Sequence, residues 1–241
     1  MHRFYAESGS APLYSLSPED AHHALKVLRL CSGDTVELIA DGNRFQASLV
    51  VNGSSVSAQI LSSLPSTEPR LRITLFQGLP KADKMEWIIQ KAVEIGVARI
   101  VPIRMSRCVV RLEERDLPRK LERWQRIARE AGKQSGRCLV PEILRPADWR
   151  DLPSLTASLD ACAVPWEEAD GMGPMTFARA HPNLGSLGLV IGPEGGITPD
   201  EIAFLPPSCV PLTLGPRILR TETAGLAAAA AFLALYGEME F

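Results

Sequence analysis

Strand-like apolar stretches crowd the first seventy residues of this chain, and beyond them such stretches alternate with amphipathic helical stripes. In the first part, Thr35 to Ala40, Arg44 to Val51 and Ser55 to Leu61 read as strands, and Asp41-Gly42-Asn43 marks a hairpin turn between the first two. A short helix precedes them. Ser17 suits its N-cap, Pro18 its first position, and Glu19 and Asp20 the positive end of its dipole. These signals fit a small β-barrel carrying one helix. His23, Lys26 and Arg29 recur at helical spacing and point to one basic face. Ser62 to Arg70 is polar, holds two prolines and lacks periodicity, so it reads as a linker.

In the second part, Leu71 to Phe76 and Arg99 to Ile103 read as strands around a helix whose stripe is Met85, Ile88, Ile89, Ala92 and Val93, closed by Gly96. Leu121, Trp124, Ala128 and Ala131 line a further helix. Asp160 to Val164, Leu187 to Ile191 and Cys209 to Thr213 are later strands. Thr198-Pro199-Asp200-Glu201 is a capping box with proline at the first helical position, and a last helix contains Ala227 to Ala231. Strands alternating with helices predict a mostly parallel α/β sheet.

Two of those strands end in glycine-rich turns. Gly192-Pro193-Glu194-Gly195-Gly196 follows Ile191, and Leu214-Gly215-Pro216-Arg217-Ile218-Leu219-Arg220-Thr221-Glu222 follows Thr213. In an open α/β sheet, ligands sit beyond the carboxyl ends of the strands. Two glycine turns there suggest one site built mostly from main chain. Neither turn is a P-loop or a dinucleotide fingerprint. Glu194 and Glu222 would repel a bound phosphate, so a ligand neutral or cationic at its centre fits better. The competing reading is a pair of tight turns that merely end strands.

Composition narrows the chemistry. With 241 residues, 46% hydrophobic and 22% charged, the chain can bury a substantial core in one large or two small domains. No apolar run approaches the ~18 residues of a membrane span, and Met1-His2-Arg3-Phe4-Tyr5 lacks an apolar signal core. Cys31, Cys108, Cys138, Cys162 and Cys209 are scattered, show no metal-ligand spacing, and read as free thiols of a reducing cytoplasm. Cys108 lies near several arginines, though a packed thiol is its simpler reading. No G-x-S-x-G occurs and no cysteine has an evident histidine partner, which argues against hydrolases. Net charge is −2, yet Arg99 to Arg137 holds twelve Lys/Arg against five Asp/Glu, while Cys138 to Phe241 holds five against thirteen. One basic segment in an otherwise acidic chain suggests a polyanion-facing surface, with a salt-bridged helix face as the competing reading.

The stretches IGPEGGITPDEI and LGPRILRTETAGLAAAAAF, together with HHALKVLRL, GDTVELIADGNRFQA, LFQGLPKADKMEWIIQKAVEIGV, RCVVR and KQSGR, resemble in order the bacterial 16S rRNA uridine-N3 methyltransferases, the RsmE family of the SPOUT superfamily. The resemblance covers nearly the whole chain. It implies a PUA-like β-barrel RNA-binding domain over 1–68 and, over 71–241, a SPOUT domain. That domain would be a mostly parallel sheet with helices on both faces and a C-terminal trefoil knot, which ordinary topology rules do not predict.

The resemblance also implies S-adenosylmethionine as cofactor, held by Gly192, Pro193, Glu194, Gly195 and Gly196 and by Leu214, Gly215, Ile218, Leu219, Arg220 and Thr221, with a third loop around Pro165 and Trp166. The substrate it implies is a uridine of 16S rRNA within the small ribosomal subunit, and the protein it implies is a homodimer. Methylation at N3 needs a base or a stabiliser of the uracil anion. Arg220 is the candidate stabiliser, and Glu194 and Glu222 are candidate bases, each with a structural alternative. His23, Arg29, Arg107, Arg111, Lys133 and Arg137 are candidate RNA contacts, and Gln134 and Ser135 are placed to orient base or sugar. The family pattern commonly has an acidic residue where Lys133 stands. Two other readings are a noncatalytic RNA-binding or ribosome-assembly protein and a SPOUT methyltransferase with another RNA target.

Overall fold

A computed structural model describes residues 1–240; Phe241, the last residue of the expected second domain, lies outside them. The chain forms two compact units, one of Met1–Glu68 with Gly132–Leu139, the other of Pro69–Ala131 with Val140 onward. The return of 132–139 to the first unit was not legible in the sequence.

In the first unit, β1 (Arg3–Ser10), β2 (Leu13–Leu16), β3 (Thr35–Ala40), β4 (Asn43–Asn52) and β5 (Ser55–Leu64) close a barrel in the order β1-β2-β5-β4-β3. Neighbours are antiparallel except the closing pair β1 and β3, which is parallel. Closure leaves no free sheet edge. Phe4, Leu16, Val36, Leu38, Leu49 and Val56 fill the interior. The expected helix α1 (Pro18–His22) starts at the Ser17 cap, whose hydroxyl accepts from the Asp20 N–H at 3.0 Å, and runs on into a π-helical turn over His23–Val27.

Two acids organise this unit. Glu37 is buried between the guanidinium groups of Arg3 and Arg44. Burial alone would raise its carboxyl, but hydrogen bonds from the two arginines outweigh that and hold it below the ordinary glutamate range. Glu68, inside the expected linker, accepts from Arg137 at 2.6 Å and from the N–H groups of Cys138 and Leu139 at 2.7 and 3.1 Å. The linker is therefore anchored at its end.

The second unit is a seven-stranded parallel sheet of β6 (Arg72–Gly78), β7 (Arg99–Arg104), β8 (Glu142–Ile143), β9 (Ala147–Asp148), β10 (Ala161–Pro165), β11 (Ser186–Ile191) and β12 (Cys209–Leu212), ordered β12-β10-β11-β6-β7-β8 with β9 also on β7. Alternate residues of each central strand enter opposite cores. Ile73, Leu75, Leu187, Leu189 and Ile191 join one core with α2 (Lys84–Ile95), α3 (Leu117–Ser135), α5 (Pro174–Ala180) and α7 (Thr221–Leu235). Phe76, Val101, Ile103, Cys162, Val164 and Val190 join the other, beneath α4 (Leu152–Thr156) and α6 (Pro199–Ala203). A sheet buried on both faces accounts for the near-continuous apolar runs seen in sequence. The α2 stripe is buried as expected, and Gly96 closes the helix at φ +119°. The capping box of α6 forms, with Glu201 accepting from Thr198 N–H at 2.9 Å.

Removing Glu68 takes the carboxylate away from the buried Arg137 guanidinium. Glu68→Ala should lower unfolding free energy by about 3–5 kcal/mol, the cost of breaking a buried pair from one side, as measured by urea denaturation. A loss below about 1 kcal/mol would show that Arg137 finds other partners.

Candidate active site

Beyond the carboxyl ends of β10, β11 and β12, three loops enclose a cavity of about 770 Å³. The loops are Pro165 to Asp170, Gly192 to Ile197 and Thr213 to Thr221. Every residue expected in the two glycine loops lines it except Gly195, and Pro165 and Trp166 of the third loop line it too. Ile218, 89% exposed, stands among the lining residues as an uncovered apolar side chain.

Side-chain and backbone hydrogen bonds together hold the loops. Trp166 ties two of them, since its backbone N–H donates to Leu212 O at 3.0 Å and its indole N–H to Ile197 O at 3.1 Å. Thr221 ties the other side. Its hydroxyl donates to Gly192 O at 2.6 Å and accepts from the amide of Gln77, fully buried at the end of β6, at 2.9 Å. Gly78 follows Gln77, and a Cβ there would stand 2.6 Å from Pro193 N, so only glycine lets β6 meet the Gly192 loop. Sequence reading missed Gln77 because nothing local distinguishes it; besides the adjacent Gly78 carbonyl, its partner is Thr221, 144 positions away.

Lys84, at the start of α2, was also missed. Its ammonium bridges Glu194 at 3.0 Å and Glu222 at 3.1 Å, and Glu194 further accepts from Lys81 N–H at 3.0 Å. Partial burial would raise both carboxyls, but each is pulled below the usual glutamate value by its own backbone N–H and by Lys84. The same bonds to Glu194 and Glu222 raise Lys84. Both acids therefore remain ionised at neutral pH, and the bridge weakens only as pH falls through their depressed values. A carboxylate so stabilised is a poor proton acceptor. The arrangement favours the structural alternative for Glu194 and Glu222 over the role of base. Glu222 is not itself a lining residue, whereas Lys84 is.

Arg220 sits at the N-cap of α7, exposed and lining the cavity, with no hydrogen bond or ion pair on its guanidinium among the described residues. It is placed for a ligand-directed charge. The candidate RNA contacts fare unequally. His23 and Arg29 are exposed in the first unit, Arg29 in left-handed conformation at φ +56°. Gln134 is exposed, and Lys133 is half-buried and paired with Asp20 at 3.0 Å. Arg137 requires correction: it is 3% exposed and consumed by Glu68, so it offers no surface to a phosphate. In the second unit, Arg111 is exposed, and Arg107 donates to Gly195 O at 2.7 Å from the turn after β7. Arg107 thereby covers Gly195, which explains why that glycine does not line the cavity.

No metal-binding group of three or more His, Cys, Asp or Glu occurs among the described residues. Cys108 is a packed thiol, and burial pushes its pKa up. No helix among the described residues is long and apolar enough to cross a membrane.

A family model described as an RNA methyltransferase domain matches residues 67–233. The chain is 36% identical over 232 residues to the ribosomal RNA small subunit methyltransferase E of Bacillus subtilis, covering 92% of this chain and 90% of that protein. It is 33% identical to the Mycobacterium tuberculosis protein of the same name, covering 87% and 82%. Among solved structures it is similar to a ribosomal RNA small subunit methyltransferase E from Neisseria gonorrhoeae bound to S-adenosyl methionine. The TM-score is 0.81 at 33% identity, over 98% of both chains. It is also similar to a Legionella pneumophila methyltransferase in complex with the bound cofactor SAM, with TM-score 0.79 over 96% of both chains.

The Lys84 bridge has a direct readout. In Lys84→Met, Glu194 and Glu222 lose their shared cation, and their titrations, followed by carboxyl ¹³C NMR, should move upward. Unmoved titrations would mean that backbone N–H groups alone hold these acids ionised.

Proposed function

The chain belongs to the ribosomal RNA small subunit methyltransferase E family, and from that membership we propose that it transfers a methyl group to N3 of one uridine in 16S rRNA. It is a methyltransferase dependent on S-adenosylmethionine. The observation that carries the reading is the three-loop cavity, whose volume falls within the roughly 300–1,000 Å³ of small-molecule sites. The residues fit the cofactor. The lining sets the small Gly192, Gly196 and Gly215 among apolar Ile191, Ile197 and Leu214, with a few charged groups at intervals, as a small-molecule site requires. The loops of Gly192 to Gly196 and Leu214 to Thr221, with Pro165 and Trp166, would hold it. When bound, it supplies a methyl group already activated on a sulfonium, so the protein needs no nucleophile of its own.

The chain's own residues then have two tasks. One is orientation: Thr221, Gln77 and Trp166 keep the loops in one geometry, and effective alignment is itself a large part of the rate gain. The other is the charge on the uracil ring as the N3 proton leaves. Arg220, permanently cationic and unpaired at the cavity, stabilises that developing anion. Lys84, neutralised by Glu194 and Glu222, fixes two of the loops.

The 1–68 module is read as the RNA-binding domain, with His23 and Arg29 toward phosphate, and 71–241 as the knotted catalytic domain, with Arg107 and Arg111 as further phosphate contacts. Lys133 and Gln134 complete the RNA-facing set once Lys133 exchanges Asp20 for phosphate. A cytoplasmic homodimer acting on the assembled small subunit completes the reading.

The test is transfer of labelled methyl from S-adenosylmethionine to small ribosomal subunits lacking the modification, with the product nucleoside identified. N3-methyluridine at one 16S position is expected, and Arg220→Ala should slow transfer by about a hundredfold, the scale of losing one charge-stabilising donor. Label in another nucleoside or another RNA would overturn the target; unchanged transfer by Arg220→Ala would remove that residue from the chemistry.

A further inference from the structure

The cavity carries charges beyond the Arg220 that the reaction above uses. Glu167 and Asp170 come from the loop after β10, Arg217 and Arg220 from the loop before α7, and all four line the same space. No hydrogen bond or ion pair engages any of these side chains among the described residues. Nearby, the protein neutralises Glu194 and Glu222 with Lys84. The lining thus holds one neutralised pair, Lys84 with Glu194, beside four charged side chains that have no such pair. Such a lining suits a ligand that carries separated charges of its own.

Glu167 is the most closely defined of the four. Trp166, its predecessor, is pinned through its backbone N–H to Leu212 O and through its indole to Ile197 O. The Glu167 carboxylate is thereby laid across Gly196. A Cβ at Gly196 would stand 2.2 Å from Glu167 Oε1 and 3.1 Å from its carboxyl carbon. Gly196 also holds φ +73°, a conformation that L side chains rarely adopt. The glycine makes room for the carboxylate, and the carboxylate has no protein cation to meet.

We propose that Glu167, lying over Gly196 in the cavity, is a cofactor-binding residue that recognises the positive charge on the methionine portion of S-adenosylmethionine. The proposal rests on the cofactor assignment of the family. That portion of the cofactor bears a sulfonium and an ammonium, and an anion unneutralised by protein is their electrostatic complement.

Calorimetric titration of the wild type and Glu167→Gln, after both are shown to share an unfolding midpoint, separates the alternatives. The probes are S-adenosylmethionine, S-adenosylhomocysteine (which keeps the ammonium and lacks the sulfonium) and 5′-methylthioadenosine (which lacks both). Glu167→Gln should weaken S-adenosylmethionine by about tenfold or more, the scale of one charge-assisted contact, and leave methylthioadenosine unchanged. A loss shared with S-adenosylhomocysteine assigns the ammonium, and a loss confined to S-adenosylmethionine assigns the sulfonium; both support the proposal. Unchanged S-adenosylmethionine affinity, or equal losses for all three probes, overturns it. A wild type that binds none of them overturns the cofactor assignment itself.

Discussion

The Thr221 hydroxyl is the joint on which the cavity depends. It donates to the carbonyl of Gly192 and accepts from the amide of Gln77, so one oxygen binds the loop after β11, the start of α7 and the end of β6. Buried hydrogen bonds gain modest net free energy, but a missing partner costs the full desolvation of what remains. The arrangement is therefore specified by what its failure would strand: one contact of the buried Gln77 amide and the carbonyl of Gly192. Trp166 performs the same service on the opposite wall, and these bonds act together with the packing of Ile197 and Trp166 in the core beneath.

Much of the architecture was legible because its causes are local. The α2 stripe, the Gly96 stop, the α6 capping box and the glycine turns each follow from residues within a few positions of one another. The site's loops were legible for the same reason. What escaped depends on distance along the chain. Lys84 meets Glu194 and Glu222 only after folding, and Gln77 meets Thr221 across 144 positions. The strands β1 and β2 lack strong alternation and take their structure from barrel closure. Arg137 was misread for a related reason: a basic segment looks uniform in sequence, while burial, which decides whether an arginine faces solvent, is set by the Glu68 carboxylate 69 positions away.

The basic segment itself changes meaning once partners are visible. Arg99 lies near Glu142, Arg104 near Glu114 and Asp148, Arg123 near Glu86, and Lys133 and Arg137 are paired with Asp20 and Glu68. Several of these are exposed pairs of small energetic worth. The Glu68 pair differs, because its arginine is buried. Local excess charge is thus a mixture of available cations and structural ones, and only the first kind contributes to binding a polyanion.

A cavity framed by glycine turns is constrained in how it can change. A Cβ at Gly78 would stand 2.6 Å from Pro193 N, and Gly196 holds φ +73°, which strains any L side chain. Substitutions there damage the architecture before they alter what is bound. An inhibitor that grips the main chain of these glycine turns would therefore meet few escape routes, since the atoms it holds are common to every amino acid.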